Sequence, residues 1–209
     1  KTLFLLNSCY NIGNFVFFDT SHFLARFLLY ICYENTCQRR ITINQIKECI
    51  MDEFRIEDLL DENLIFMNEE APDYETLLHN LSDKLEEKGY VKEGYADAVI
   101  RREQIYPTGL PTNIMKVAVP HAIERDYVLE PRVLVATLKE PVAFKEMGDG
   151  VRDVMVDIVF LLAVCGSNDQ LTILQKIVGL FSESDAMAEL KQASTTSELY
   201  KVLTHYLAN

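Results

Sequence analysis

The chain has 209 residues, 49% of them apolar, which suffices for one ample core with an appendage and is short for two full domains. Its formal charge of −12 argues against nucleic acid as a partner, because phosphate backbones are gripped by clustered Lys and Arg. None of the five cysteines stands in a CxxC pair, so neither a zinc site nor a disulfide framework is indicated, and a reducing, cytoplasmic compartment is expected.

The charge is unevenly spread. Residues 1–50 hold five basic and three acidic groups, four of the five cysteines and nine of the 21 aromatics, whereas the rest holds 15 basic and 29 acidic groups. The chain is therefore expected to divide into an extension, residues 1–51, and a domain, residues 52–209. The extension has two readings. Lys47-Glu48 can be encoded by the purine run AAGGAG, which resembles a ribosome-binding sequence, with Cys49-Ile50 as the spacer before Met51, so that an untranslated leader has been read as protein. On the other reading, a helix around Ser21 to Tyr33 packs on the domain or mediates dimerisation. Thr2 to Leu6 is too short for a signal-peptide core, and Arg26 interrupts the longest apolar stretch, Phe23 to Tyr33, so no membrane insertion is expected.

After Met51 the patterns become clear, beginning at Asp73. This residue is an N-cap, and Gly89 a stop, for a helix whose buried stripe is Tyr74, Leu77, Leu78, Leu81 and Leu85. A second helix over Glu93 to Gln104 puts Tyr95, Ala98, Val99 and Arg102 on one face, with Arg101 four residues after Asp97 on the other. Pro107, Gly109 and Pro111 force a loop from Tyr106 to Thr112. A short strand follows at Lys116 to Val119, ended by Pro120, which presents His121. Further strands are expected at Val133 to Leu138 and at Val142 to Phe144, with Met147-Gly148-Asp149-Gly150 as a turn. The almost wholly apolar run Val154 to Val164 reads as a central strand covered on both faces. Cys165 to Asp169 leads into a helix striped by Leu171, Leu174, Val178 and Phe181. Two more helices follow, the last capped by Thr195 or Thr196 with Glu198. Helices on either side of a central run of strands predict an α/β layered domain.

Three features converge on an anion. Arg102 lies on the apolar face of its helix, where an unpaired guanidinium is costly to bury, so it needs an anion or several acceptors. The turn Gly166-Ser167-Asn168 offers backbone N–H groups at the positive end of a helix dipole. His121, at the end of a strand, can face the same crevice, where ligands of open α/β sheets collect. By itself a histidine after a strand is more often an ordinary loop residue. The company it keeps singles out His121, whereas His22, His79 and His205 lack such company and read as surface or structural groups. Cys165 reads as a small buried residue, with no basic neighbour to activate its thiol.

The segments Arg102-Glu103, Pro107-Thr108-Gly109-Leu110 and Val117-Ala118-Val119-Pro120-His121-Ala122 resemble the signature of fructose- and mannitol-type enzyme IIA domains of the bacterial sugar phosphotransferase system. The resemblance runs from about Asp52 to the C-terminus. Pro141-Val142-Ala143-Phe144, Met147-Gly148 and Gln170-Leu171 are similar to the galactitol branch in particular. This resemblance implies a mixed central sheet flanked by helices on both sides. It also implies that His121 receives a phosphoryl group from the phosphocarrier HPr and delivers it to a cysteine of an enzyme IIB, which serves a membrane enzyme IIC. Arg102 would stand beside the phosphate and Thr108 and Glu103 in the binding site, although Thr108 can equally cap a turn. Gln170 falls where the mannitol-like branch has a second histidine, and its amide could position a phosphoryl oxygen without exchanging a proton. A neutral His121, expected to be exposed, would attack through one ring nitrogen while the other donates to an acceptor. Neither metal nor cofactor is called for.

Two other functions remain open. Similar domains end sugar-responsive transcription regulators, where phosphorylation of the histidine sets activity, and a pure anion-binding module would keep Arg102 but have no use for His121. The identity of the sugar is not written in this part of such a system.

Overall fold

The structure, a computed structural model, describes residues 56–164 and 167–207, without the side chains of 56, 57, 125 and 167–171. The extension expected over residues 1–51 lies outside the described residues. A short 3-10 turn, Ile56–Leu59, leads into β1 (Leu60–Glu69), followed by α1 (Tyr74–Glu87) and α2 (Tyr95–Ile105). Two very short strands, β2 (Gly109–Leu110) and β3 (Val117–Ala118), precede the long β4 (Arg132–Lys145) and β5 (Asp153–Ala163). The chain ends in α3 (Ser167–Ser182), α4 (Ser184–Gln192) and α5 (Thr196–Leu207). The five strands form one mixed sheet in the order β1-β4-β5-β3-β2. In it β1 runs parallel to β4 and β3 to β5, while β4 and β5, and β2 and β3, are antiparallel.

The helical expectations hold, with their physical causes visible. Asp73 caps α1 by accepting from the Thr76 N–H at 2.7 Å, and Gly89, at φ +77°, takes the left-handed conformation just beyond the helix. Leu77, Leu78, Leu81 and Leu85 are fully buried, and the Tyr74 ring meets Phe144 at 5.6 Å. At the start of α5 Thr195 Oγ1 accepts from the Glu198 N–H at 3.2 Å, and Glu198 reaches back to the Ser194 N–H at 2.8 Å.

The central strand is where expected. Residues 158–163 of β5 are all buried, and because successive side chains of a strand point to opposite faces, both faces must be covered. Val159, Leu161 and Ala163 pack with the buried stripes of α1 and α2, while Phe160, on the other face, meets Phe181 of α3 at 5.2 Å. Each fully buried Leu, Ile, Val or Phe contributes about 1.5 to 3 kcal/mol of transfer free energy, which makes β5 the spine of the core.

Three expectations are corrected. The strands expected at Val133 to Leu138 and Val142 to Phe144 are one strand, β4, with a break in register between Thr137 and Val142. Pro141, which has no N–H to give, falls in that break. Gly109–Leu110, expected to be pure loop, pairs with Val117–Ala118. Finally, β1 was not anticipated at all. Its burial does not alternate, its pairing with β4 shifts twice, and Asn68 sits at φ +58° inside it, so it carries no two-residue period to be read. Among the described residues no helix is long and apolar enough to cross a membrane.

Candidate active site

His121 comes three residues after β3, just beyond Pro120, whose missing N–H takes one donor out of the ladder. The Pro120 carbonyl accepts from the Leu162 N–H at 2.9 Å, and His121 itself bridges Leu162 in parallel register. Leu162 also ties in the helix that carries Arg102: its carbonyl accepts from the buried Tyr95 hydroxyl at 2.9 Å. One residue near the end of β5 thus fixes both α2 and the segment of His121.

The imidazole is 4% exposed, not exposed as expected, because that pairing tucks it against the sheet. Its Nδ1 lies 2.9 Å from the Val119 carbonyl. A carbonyl can only accept, so Nδ1 carries the hydrogen and Nε2 keeps its lone pair. Burial pushes the pKa of His121 well below the usual histidine range, and the charge of Arg102 adds to that; the bond to Val119 opposes both without reversing them. The site therefore holds a neutral imidazole in one tautomer with the lone pair on Nε2.

Arg102 is 2% exposed on the same face of α2 as the fully buried Tyr95, Ala98 and Val99. It closes the helix end reciprocally, since its own carbonyl accepts from the Tyr106 N–H at 2.8 Å while its Nη1 donates to the Tyr106 carbonyl. The guanidinium carbon also stands 5.7 Å from the centre of the Tyr106 ring. A cation at the C-terminal end of a helix is favoured by the dipole as well.

Its two neighbours behave differently. Arg101 is on the solvent side, about half exposed, but its partner is Glu124 at 3.4 Å and not Asp97, which lies 3.7 Å from His79. The expected pair within the helix gives way to one that reaches the segment after His121. Glu103 is 4% exposed, and its two carboxylate oxygens accept from the Thr108 N–H at 2.8 Å and the Thr108 hydroxyl at 2.9 Å. Burial pushes its pKa up to about 7 against the lowering effects of the Thr108 N–H, Arg102 and the Thr108 hydroxyl.

The loop after α2 is clamped from its far side too. The Gly109 carbonyl accepts from the Met147 N–H at 2.9 Å, and a Cβ at Gly109 would stand 2.6 Å from the Lys145 carbonyl oxygen. Only glycine fits. Gln170 lies in the first turn of α3, which begins at Ser167 beyond the end of β5, but its side chain is outside the described residues. A hollow lined by Asp58, Asp61, Glu62, Arg132 and Tyr200 shares no residue with this site. The two acceptors that sequence reasoning did not name, the carbonyls of Val119 and Tyr106, both precede a proline. Pre-proline residues are held away from the helical region, which takes their carbonyls out of a continuing helix ladder and is a usable signal.

A family model described as phosphoenolpyruvate-dependent sugar phosphotransferase system, EIIA 2, matches residues 57–206. The chain belongs to this family. Its members are phosphotransferase components of that system. The transcriptional regulator ManR of Bacillus subtilis is 33% identical over 126 residues, which are 60% of this chain and 17% of that protein. The mannitol-specific EIICBA component of Pasteurella multocida is 31% identical over 147 residues, 69% of this chain and 22% of that protein. The chain thus spans well under half the length of these curated relatives. The fold is that of the Escherichia coli enzyme IIA for mannitol, solved in complex with its phosphorylated enzyme IIB, with a TM-score of 0.58 at 23% identity over 70% of this chain and 97% of that one.

Proposed function

We propose that this EIIA domain, residues 52–209, is a cytoplasmic phosphocarrier in which His121 Nε2 takes a phosphoryl group from HPr and gives it up to a cysteine of an enzyme IIB. The transported sugar or polyol would be of the galactitol-like class, on the strength of Pro141-Val142-Ala143-Phe144 and Gln170-Leu171. The observation that carries the reading is the 2.9 Å contact of His121 Nδ1 with the Val119 carbonyl in a buried setting that keeps the ring neutral. As Nε2 approaches in line, the bond from phosphorus to the donor nitrogen breaks and an N–P bond to His121 forms. The hydrogen stays on Nδ1, donated to the Val119 carbonyl, throughout. Arg102 supplies a fixed positive charge for the phosphoryl oxygens, Gln170 an amide to orient them, and Glu103 with Thr108 the fixed geometry of the loop.

Docking has its own support. The E. coli relative of this fold was solved with its phosphorylated enzyme IIB. Ile105 and Ile123, 64% and 55% exposed, lie within three residues of Arg102 and two of His121. They offer apolar contact around a nearly closed site, and a charge of −12 speeds encounter with basic partners. Enzyme IIC would be reached only through enzyme IIB.

The ManR relationship favours a second reading, in which the same phosphohistidine sets the activity of a larger regulator and passes nothing on. Incubation with phosphorylated HPr separates the two. Phosphate on His121 that moves to an enzyme IIB cysteine supports the carrier, phosphate that stays supports the regulator, and no phosphate on His121 overturns both.

A further inference from the structure

Glu103 is a buried carboxyl that the transfer chemistry leaves unused, and its surroundings bear on the phosphoryl group all the same. Both oxygens are spent on Thr108, at 2.8 and 2.9 Å, so it offers nothing to a ligand, and an ionised carboxylate would repel a phosphoryl dianion. Among the described residues the charged and titratable groups around it are few. From its own helix Arg102 attracts it, and from α1 the Tyr74 phenol feels its charge, while the loop contributes only Thr108. Tyr74 in turn donates to Glu75 at 3.1 Å, and burial first, then this bond, raises its pKa, so it stays neutral. Among the described residues Arg102 is thus the cation that acts on Glu103, and it also acts on His121.

We propose that Glu103 is a positioning residue that takes up a proton when His121 is phosphorylated, so that the loop contact with Thr108 persists while the charge of Arg102 passes to the phosphoryl group. The inference rests on the phosphocarrier reading given above. The hydrogen bonds permit the step without rearrangement. Ionised Glu103 accepts twice from Thr108; protonated Glu103 still accepts the Thr108 N–H on Oε1 and donates its own O–H from Oε2 to the Thr108 oxygen. The Thr108 hydroxyl turns about its C–O bond to receive that hydrogen. The proton comes from solvent, one for each phosphoryl group that arrives, and returns when the group leaves. Gly109 pairs with Ala118, which brings the Thr108 end of the loop beside the segment leading to His121; there a carboxyl that burial has pushed up to about 7 is tipped towards the protonated form by a dianion on His121.

The test follows the Glu103 side-chain carboxyl by carbon NMR in the full chain, at pH 8, before and after incubation with phosphorylated HPr, with mass spectrometry to verify phosphate on His121. The expected result is a carboxylate signal that moves to the protonated position on phosphorylation. In parallel, the phosphorylation equilibrium is measured from pH 7 to 9 for the natural chain and for Glu103→Gln. Relative to that variant, phosphorylation of the natural chain should weaken by up to about tenfold per pH unit over this window, as uptake of one proton demands. Phosphate on His121 with an unmoved carboxylate signal, or the same pH dependence in both chains, overturns the inference alone. No phosphate on His121 overturns the phosphocarrier reading and this inference with it.

Discussion

Arg102 and Glu103 are consecutive residues at the end of one helix, 2% and 4% exposed, and each holds a different residue of the loop that follows. Arg102 holds Tyr106 through backbone and side chain, and Glu103 holds Thr108 through both of its oxygens. The charge of Arg102 lowers the pKa of the Glu103 carboxyl but burial outweighs it, so both side chains are held in the interior chiefly by their hydrogen bonds to the loop.

Replacing His121 by Ala should abolish phosphorylation and leave the fold, because what its backbone contributes is a bridge to Leu162 that alanine keeps. Mass spectrometry after incubation with phosphorylated HPr, alongside circular dichroism, reads both. Acid-stable phosphate on another residue would show that a different group carries the chemistry.

The two arginines are internal controls for each other. Arg102→Ala should slow phosphoryl transfer by at least about tenfold, corresponding to roughly 1.4 kcal/mol of lost charge stabilisation. Arg101→Ala removes an exposed contact to Glu124 and should alter rate and stability little. Single-turnover transfer rates of equal size in the two variants would contradict the assignment.

Stability should respond to pH in opposite senses at Glu103 and His121. Folded Glu103 keeps its proton up to about pH 7 where a free glutamate side chain loses it near 4.5, so its contribution falls as pH rises between these values, by roughly 3 kcal/mol in total. His121 stays neutral when folded but protonates below 6.5 when unfolded, so its contribution falls as pH drops below that point. The two oppose each other in the natural chain below about pH 6.5. Urea unfolding across this range should unmask them: Glu103→Gln gains on the natural chain as pH rises, and His121→Ala gains as pH falls. Parallel curves for all three proteins would exclude both assignments.

Gly109→Ala places a methyl 2.6 Å from the Lys145 carbonyl oxygen, a backbone atom that cannot swing aside. The expected loss is about 1 to 3 kcal/mol of stability, with slower transfer because Thr108 is the adjacent residue. Denaturant midpoints and transfer rates check the two effects separately, and an unchanged midpoint would show that the hairpin gives way.

Sequence periodicity by itself determined the helices, the central strand and the burial of Arg102, because amphipathic spacing records which side of an element meets the core. It also marked His121, through the proline that ends its strand and the arginine placed beside an apolar stripe. Tertiary structure decided the rest. Edge strand β1 forms because β4 offers it a partner, although Asp61, Glu62 and Asn63 spoil any alternation in it. Arg101 pairs with Glu124, and His121 is buried and held in one tautomer by Val119, because contacts between residues far apart in the chain, or with backbone carbonyls, leave no spacing of side-chain types behind. Glu103 belongs to both accounts: its place after Arg102 is in the sequence, but a carboxyl near neutrality needs the desolvation that only the packed loop and helices supply.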